Sequence, residues 1–152
     1  MTTLRKPELL LPAGSLNRLK TAFLYGADAV YAGMPGVSLR NKTSFTMDEM
    51  KQGIDYAHTL GKKVYLTINL FTHNRDIPRL QEFVSHLKEL NPDGVIVADP
   101  GVFGYIKEQL PNLPLHISTQ ANVSKRISGQ SLRISAISLK GVSRPKTHND
   151  AP

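Results

Sequence analysis

The chain has 152 residues, with 19 Lys and Arg against 12 Asp and Glu, no cysteine and no tryptophan. That length suits one domain with a core able to fold without covalent staples, and 40% hydrophobic with 20% charged residues excludes wholesale disorder. Without cysteine there is no disulfide scaffold and no zinc or iron–sulfur centre held by this chain's own thiolates.

The elements follow in chain order. Glu8 to Leu11 reads as a short apolar strand closed by the turn Pro12-Ala13-Gly14. Ser15 is a good N-cap, and Leu16, Leu19 and Phe23 recur at helical spacing until Gly26 stops the helix. Ala29 to Ala32 is a second strand. Thr46-Met47-Asp48-Glu49 has the spacing of a capping box, in which a hydroxyl and a carboxylate satisfy each other's backbone donors. Met47, Met50, Ile54, Ala57 and Leu60 are the expected buried stripe of that helix, with Gly61 ending it. Val64 to Ile68 is a third strand.

Asp76 and Pro78 open a third helix, since a first-turn proline lacks only an amide that has no helical partner anyway. Its stripe is Leu80, Phe83, Val84 and Leu87, and it ends at Asn91-Pro92. Val95 to Ala98 is a continuous apolar run, as in strands covered on both faces. A helix from about Pro100 to Leu110 and a strand from Leu115 to Ser118 complete the pattern. The order βαβαβαβαβ requires parallel strands and right-handed crossovers. An open doubly wound sheet and a (β/α) barrel both fit; a complete barrel takes about 250 residues. Periodicity does not choose between them.

Composition changes near residue 124. Residues 124–152 hold six bases (Lys125, Arg126, Arg133, Lys140, Arg144, Lys146), one acid (Asp150) and six serines, leaving thirteen bases and eleven acids in 1–123. All ten Tyr and Phe residues precede position 124. The expected organisation is therefore a folded part, 1–123, and a basic tail, 124–152, with too little to bury to be ordered. No run approaches the roughly 18 apolar residues of a membrane span. Pro12 also stops Leu9-Leu10-Leu11 short of a signal peptide, so no membrane contact and a cytoplasmic location are expected.

In both architectures ligands bind at the carboxyl ends of the strands, and polar residues collect there. Arg40 lies in a connection of some 13 residues, Gly33 to Phe45, long enough to suggest function. A guanidinium there would hold a carboxylate or phosphate bidentately. Asn69 follows the third strand, with Phe71, His73 and Asn74 beyond it; Asp99 follows the fourth; Ser118-Thr119-Gln120-Ala121-Asn122 follow the fifth. Asp99 before Pro100 reads first as a helix start, whereas Asn69 and Gln120 are not obvious caps. The candidate ligand-binding set is Arg40, Asn69, Asp99, Gln120 and Asn122. His58, His73, His86 and His116 show no paired helical spacing, so no metal site is expected. No nucleophile–base pair can be read from spacing, and catalytic residues stay unassigned.

Several of these segments together resemble one known family. Lys6-Pro7-Glu8-Leu9-Leu10 running into Pro12-Ala13-Gly14-Ser15, and Gly26-Ala27-Asp28-Ala29-Val30-Tyr31-Ala32-Gly33, are similar to the opening of the collagenase-like peptidase family of unassigned catalytic type. Ser38-Leu39-Arg40, Gly61-Lys62-Lys63-Val64-Tyr65, Asn69, Asp99-Pro100-Gly101 and Ser118-Thr119-Gln120-Ala121-Asn122 follow in the family's order. The resemblance covers residues 6–123. It implies the N-terminal part of a longer protein: an incomplete TIM-like (β/α) barrel of about five parallel strands and four helices, with 124–152 as a basic segment outside the family pattern.

Within the family, Tyr31-Ala32-Gly33 leading to Ser38-Leu39-Arg40 resembles the branch concerned with tRNA hydroxylation, which forms 5-hydroxyuridine at the wobble position. The implied partners are tRNA and a small anionic ligand, the hydroxyl source being linked to prephenate in that branch. The family's cysteine-rich, iron–sulfur-associated signature lies downstream of the region matched here, so no cofactor is expected in this chain. The resemblance leaves the chain's status as an enzyme undecided: alone it is expected to be inactive, and an incomplete barrel is expected to oligomerise or aggregate through unpaired strand edges. A collagenase-like protease, a non-catalytic remnant and a basic-tailed RNA-binding chain are the competing readings.

Overall fold

The computed structural model describes residues 7–34, 45–68 and 77–118, with the backbone alone at Ile77 and Arg79. Five strands alternate with four helices: β1 (Leu10–Pro12), α1 (Leu16–Leu24), β2 (Ala29–Gly33), α2 (Met47–Thr59), β3 (Lys63–Ile68), α3 (Ile77–Leu90), β4 (Gly94–Val97), α4 (Pro100–Gln109) and β5 (Leu115–Ile117). Local chemistry fixes many of the boundaries. Ser15 caps α1 by accepting from the Arg18 amide. The Thr46 hydroxyl accepts from the Glu49 amide at 3.1 Å, and the Glu49 carboxylate accepts from the Thr46 amide at 2.8 Å, completing the capping box. Gly26 and Gly61 leave their helices with φ of +93° and +65°, a region that glycine enters without steric cost.

All five strands pair in parallel in the order β1-β2-β3-β4-β5. Alternate strand residues Val30, Ala32, Val64, Leu66, Ile68, Val95 and Val97 join one core with Leu19 and Phe23 of α1, Met50 and Ile54 of α2, Phe83 and Leu87 of α3, and Val102 and Ile106 of α4. Every described helix therefore packs on the same face of the sheet, each against its neighbour in sequence. A doubly wound sheet reverses its strand order and places helices on both faces. The winding here is single: strand order follows the sequence, and the described helices lie on one face. Leu60 departs from its expected stripe: it is the C-cap residue of α2, past the last buried turn, and 47% exposed.

A repeated device at the start of the even strands locks this order. Asp28 donates its amide to the Leu9 carbonyl (2.9 Å) while its carboxylate accepts from the Leu9 amide (3.0 Å). Asp93 does the same with Val64, at 3.0 Å and 2.8 Å. Each aspartate stands two residues after a left-handed residue, Gly26 or Asn91, and clamps the strand before it. Each also meets a cation-capable side chain, Lys62 at 3.3 Å from Asp28 and His58 at 3.0 Å from Asp93. Asp93→Ala removes the partner of a part-buried amide, so a loss of about 1–3 kcal/mol is expected in urea unfolding. A change below ~0.5 kcal/mol would show that the clamp does not hold β3 to β4.

Candidate functional site

The single winding divides the sheet into a helix-covered face and a face that no described helix covers. Strand register sets the second face in layers. Pro12, Tyr31, Tyr65 and Gly94 share one layer, and Gly33, Thr67, Ile96 and His116 share the next, nearer the carboxyl ends. Beyond it the ladder continues one step past four of the strands' pairings: Ala13 donates to Tyr31 (2.9 Å), Met34 to Thr67 (3.4 Å), Ala98 to Ile68 (3.4 Å) and Ser118 to Val97 (2.8 Å). These bonds hold the carboxyl ends level, so the chain leaves them along a common rim.

Of the five residues expected to bind ligand, the described structure contains Asp99. It ends the β4 exit and caps α4, with Oδ1 accepting from the Val102 amide at 2.9 Å and Pro100 in the first turn. That bond accounts for the carboxylate by local chemistry. Asp99→Ala is expected to cost about 1 kcal/mol of stability, read by thermal or urea unfolding; no measurable loss would free Asp99 from its capping role. Arg40, Asn69, Gln120 and Asn122 lie outside the described residues, as do His73, Asn74 and the basic tail. Nothing is brought together among the five, because a single member is in view.

The deeper layers hold chemistry that sequence reasoning missed. The Tyr65 hydroxyl donates to Glu8 Oε1 (3.0 Å), and Lys63 Nζ donates to Glu8 Oε2 (2.9 Å). The Tyr65 ring reaches across β4 to meet His116 of β5 edge-on, with centroids 5.3 Å apart. Gly94 makes that crossing possible, because a Cβ there would stand 3.0 Å from Tyr65 Cδ1. The Nδ1 atom of His116 is buried and makes no hydrogen bond. A period of two along the fifth strand places His116 on the Ser118 side, a relation that helical spacing does not express.

Burial, then the hydrogen bond to Glu8, pushes the Tyr65 phenol above its ordinary range, and the hydrogen bond to Glu8 likewise raises Lys63. Both groups hold their protons more tightly folded than unfolded. Their stabilisation is therefore whole below the unfolded values, about 10 for each, and is lost as pH rises through the folded ones. Urea unfolding between about pH 9 and 11 is expected to show that decline, and Tyr65→Phe to make it shallower. A decline equally steep in Tyr65→Phe would clear the phenol of any part in it.

A groove of about 470 Å³ opens at the other end of the sheet, between the end of α3 and the α4–β5 connection, lined by Pro92, Asp93, Leu110, Leu113 and Pro114 among others. It is remote from the rim. Among the described residues no three His, Cys, Asp or Glu gather as a metal site, and the sequence has no cysteine. The donor set does not fit an iron–sulfur cluster. No described helix is long and apolar enough to cross a membrane.

Comparison with known proteins places this architecture. The model of peptidase family U32 matches residues 14–137, which runs past the composition change at 124. The tRNA hydroxylation protein P of Helicobacter pylori is 50% identical over 125 residues, covering 81% of this chain and 30% of the relative. Its namesake from Haemophilus influenzae is 48% identical over 126 residues, covering 80% and 27%. The chain thus spans less than a third of the length of these relatives. Among solved structures, the U32 peptidase Mk0906 superposes with a TM-score of 0.63 at 19% identity, over 80% of this chain and 52% of that one; at that identity the likeness concerns the fold.

Proposed function

The chain belongs to peptidase family U32, and from that premise we propose that it forms the ligand-binding wall of an RNA-hydroxylating protein that acts in 5-hydroxyuridine formation in tRNA. The observation that carries this reading is the 50% identity over 125 residues with a protein named for tRNA hydroxylation. The wall belongs to a (β/α) barrel, whose reactive end is the carboxyl end of its strands. Arg40 holds a carboxylate or phosphate of a small anionic ligand. Asn69, Gln120 and Asn122 orient that ligand by hydrogen bonds, and Asp99 holds the β4 exit in place through its cap. The chain alone does not complete the reaction. Any iron–sulfur cluster would need thiolates from outside it, and a tRNA substrate implies a cytoplasmic setting.

Nucleoside mass spectrometry of tRNA tests the proposal. A strain lacking the gene is expected to lose 5-hydroxyuridine, and restoring the gene to return it. Unchanged levels in a strain with no second route to the modification overturn the reading. The description of the family as peptidases favours a second reading, hydrolysis of a peptide bond. Cleavage of gelatin by the purified protein, with hydroxyuridine unaffected in the deletion strain, would select it.

A further inference from the structure

We propose that His116 is a ligand-contacting residue of this site, donating a hydrogen bond from Nδ1 to an oxygen of the small anionic ligand. The inference rests on the reading that the rim holds such a ligand, and it adds a residue from beneath the rim. Its layer is Gly33, Thr67, Ile96 and His116. Glycine and isoleucine bring no polar side chain there. The Thr67 hydroxyl donates to the Ala32 carbonyl at 3.3 Å. With the Thr67 proton so engaged, His116 Nδ1 is the group of the layer that can donate to a ligand; it is buried and has no hydrogen-bond partner.

A buried polar atom without a partner is costly, and native structures keep few of them. The neighbourhood shows that this one is held in place. The Tyr65 ring packs edge-on against the imidazole, its hydroxyl is tied to Glu8, and Gly94 leaves space for the ring between the two strands. Three elements thus fix an imidazole whose own nitrogen is unpaired. The carboxylates Glu8, Asp28 and Asp93 lie at the amino ends of the strands and are engaged with Lys63, Lys62 and His58, while Asp99 at the β4 exit accepts from the Val102 amide. The three at the amino ends do not compete for Nδ1. As a donor, Nδ1–H suits a carboxylate or phosphate oxygen.

The test uses the full chain labelled with 15N-histidine and sodium malonate as the probe. Calorimetry reads malonate binding, and long-range proton–nitrogen spectra read the His116 ring. We expect the His116 Nδ1 signal to move saturably with malonate. His116→Phe keeps a ring against Tyr65 but no donor, and is expected to weaken binding roughly ten- to a hundredfold. His116→Asn places an amide about where Nδ1 lies and should bind within about threefold of the unsubstituted chain. Malonate binding that leaves the His116 signals still, or binding by His116→Phe at full strength, overturns the assignment. If malonate does not bind at all, the anionic-ligand reading fails and His116 with it. If His116→Phe fails to fold, the spectra of the unsubstituted chain and the His116→Asn variant decide. None of these readouts involves RNA, so the tRNA hydroxylation reading stands or falls separately on its nucleosides.

Discussion

Replacing Phe83 by alanine is expected to lower the free energy of unfolding by about 3–5 kcal/mol. Phe83 is 1% exposed and lies midway along α3, among the largest fully buried side chains. It shares one core with Val84 and Leu87 of its own helix, the inward residues of β3 and β4, and side chains of α2 and α4. Truncation removes the transfer energy of the ring and leaves a cavity that a singly wound wall closes poorly, because the helices on either side are anchored to different strands. For a domain of this size the loss is a large share of the roughly 5–15 kcal/mol available. Urea titration followed by circular dichroism checks it, with the exposed Glu89→Ala on the same helix as control. The denaturant slope should be unchanged and the midpoint lowered. A shift in Phe83→Ala no larger than the control's would mean that α3 is not seated on the sheet as described.

The elements were legible where the forces that make them are local. Ser15, Thr46 with Glu49, and Asp99 each satisfy amides within three residues, and all of them act as caps in the structure. The run Val64 to Ile68 likewise reads as a strand, although its two faces are not told apart by burial, since Tyr65 is buried along with Val64, Leu66 and Ile68. Strand order is another matter, since a period of two tells which residues share a face and not which strand lies beside which. The device that fixes order, Asp28 on Leu9 and Asp93 on Val64, joins residues 19 and 29 positions apart, beyond any local pattern. Leu60 shows the converse: its helical spacing was correct, but the helix ended one residue too early to bury it. The rim was legible as a row of strand exits, because βα connectivity makes the strands parallel and puts their exits on one edge. The side chains beneath it were not, since nothing in Leu115-His116-Ile117 signals that Tyr65 arrives from two strands away.

The contact between Tyr65 and His116 depends on one small residue. Gly94→Val is expected to destabilise the chain by about 1–3 kcal/mol or more, the range of an overpacked core, and to displace the Tyr65 ring. A Cβ at 94 would stand 3.0 Å from the Pro114 carbonyl oxygen and 3.0 Å from Tyr65 Cδ1, and neither can yield easily. The Pro114 carbonyl accepts the Val95 amide at 2.9 Å and begins the β4–β5 pairing. The Tyr65 ring is held by its hydroxyl bond to Glu8 and by the His116 edge. A double-mutant cycle separates the two obstacles. Tyr65→Ala alone loses packing, but in its presence Gly94→Val has only the carbonyl to meet. If the ring is the main obstacle, the cost of the valine falls by about 1 kcal/mol or more in the Tyr65→Ala background. If the cost is unchanged, the backbone of the β4–β5 edge is what excludes a side chain at 94. The His116 ring reports the same event, since losing its edge contact with Tyr65 should alter its proton shifts in Gly94→Val. A valine tolerated without loss of stability and without change at His116 would mean that the Tyr65–His116 contact is incidental to the wall.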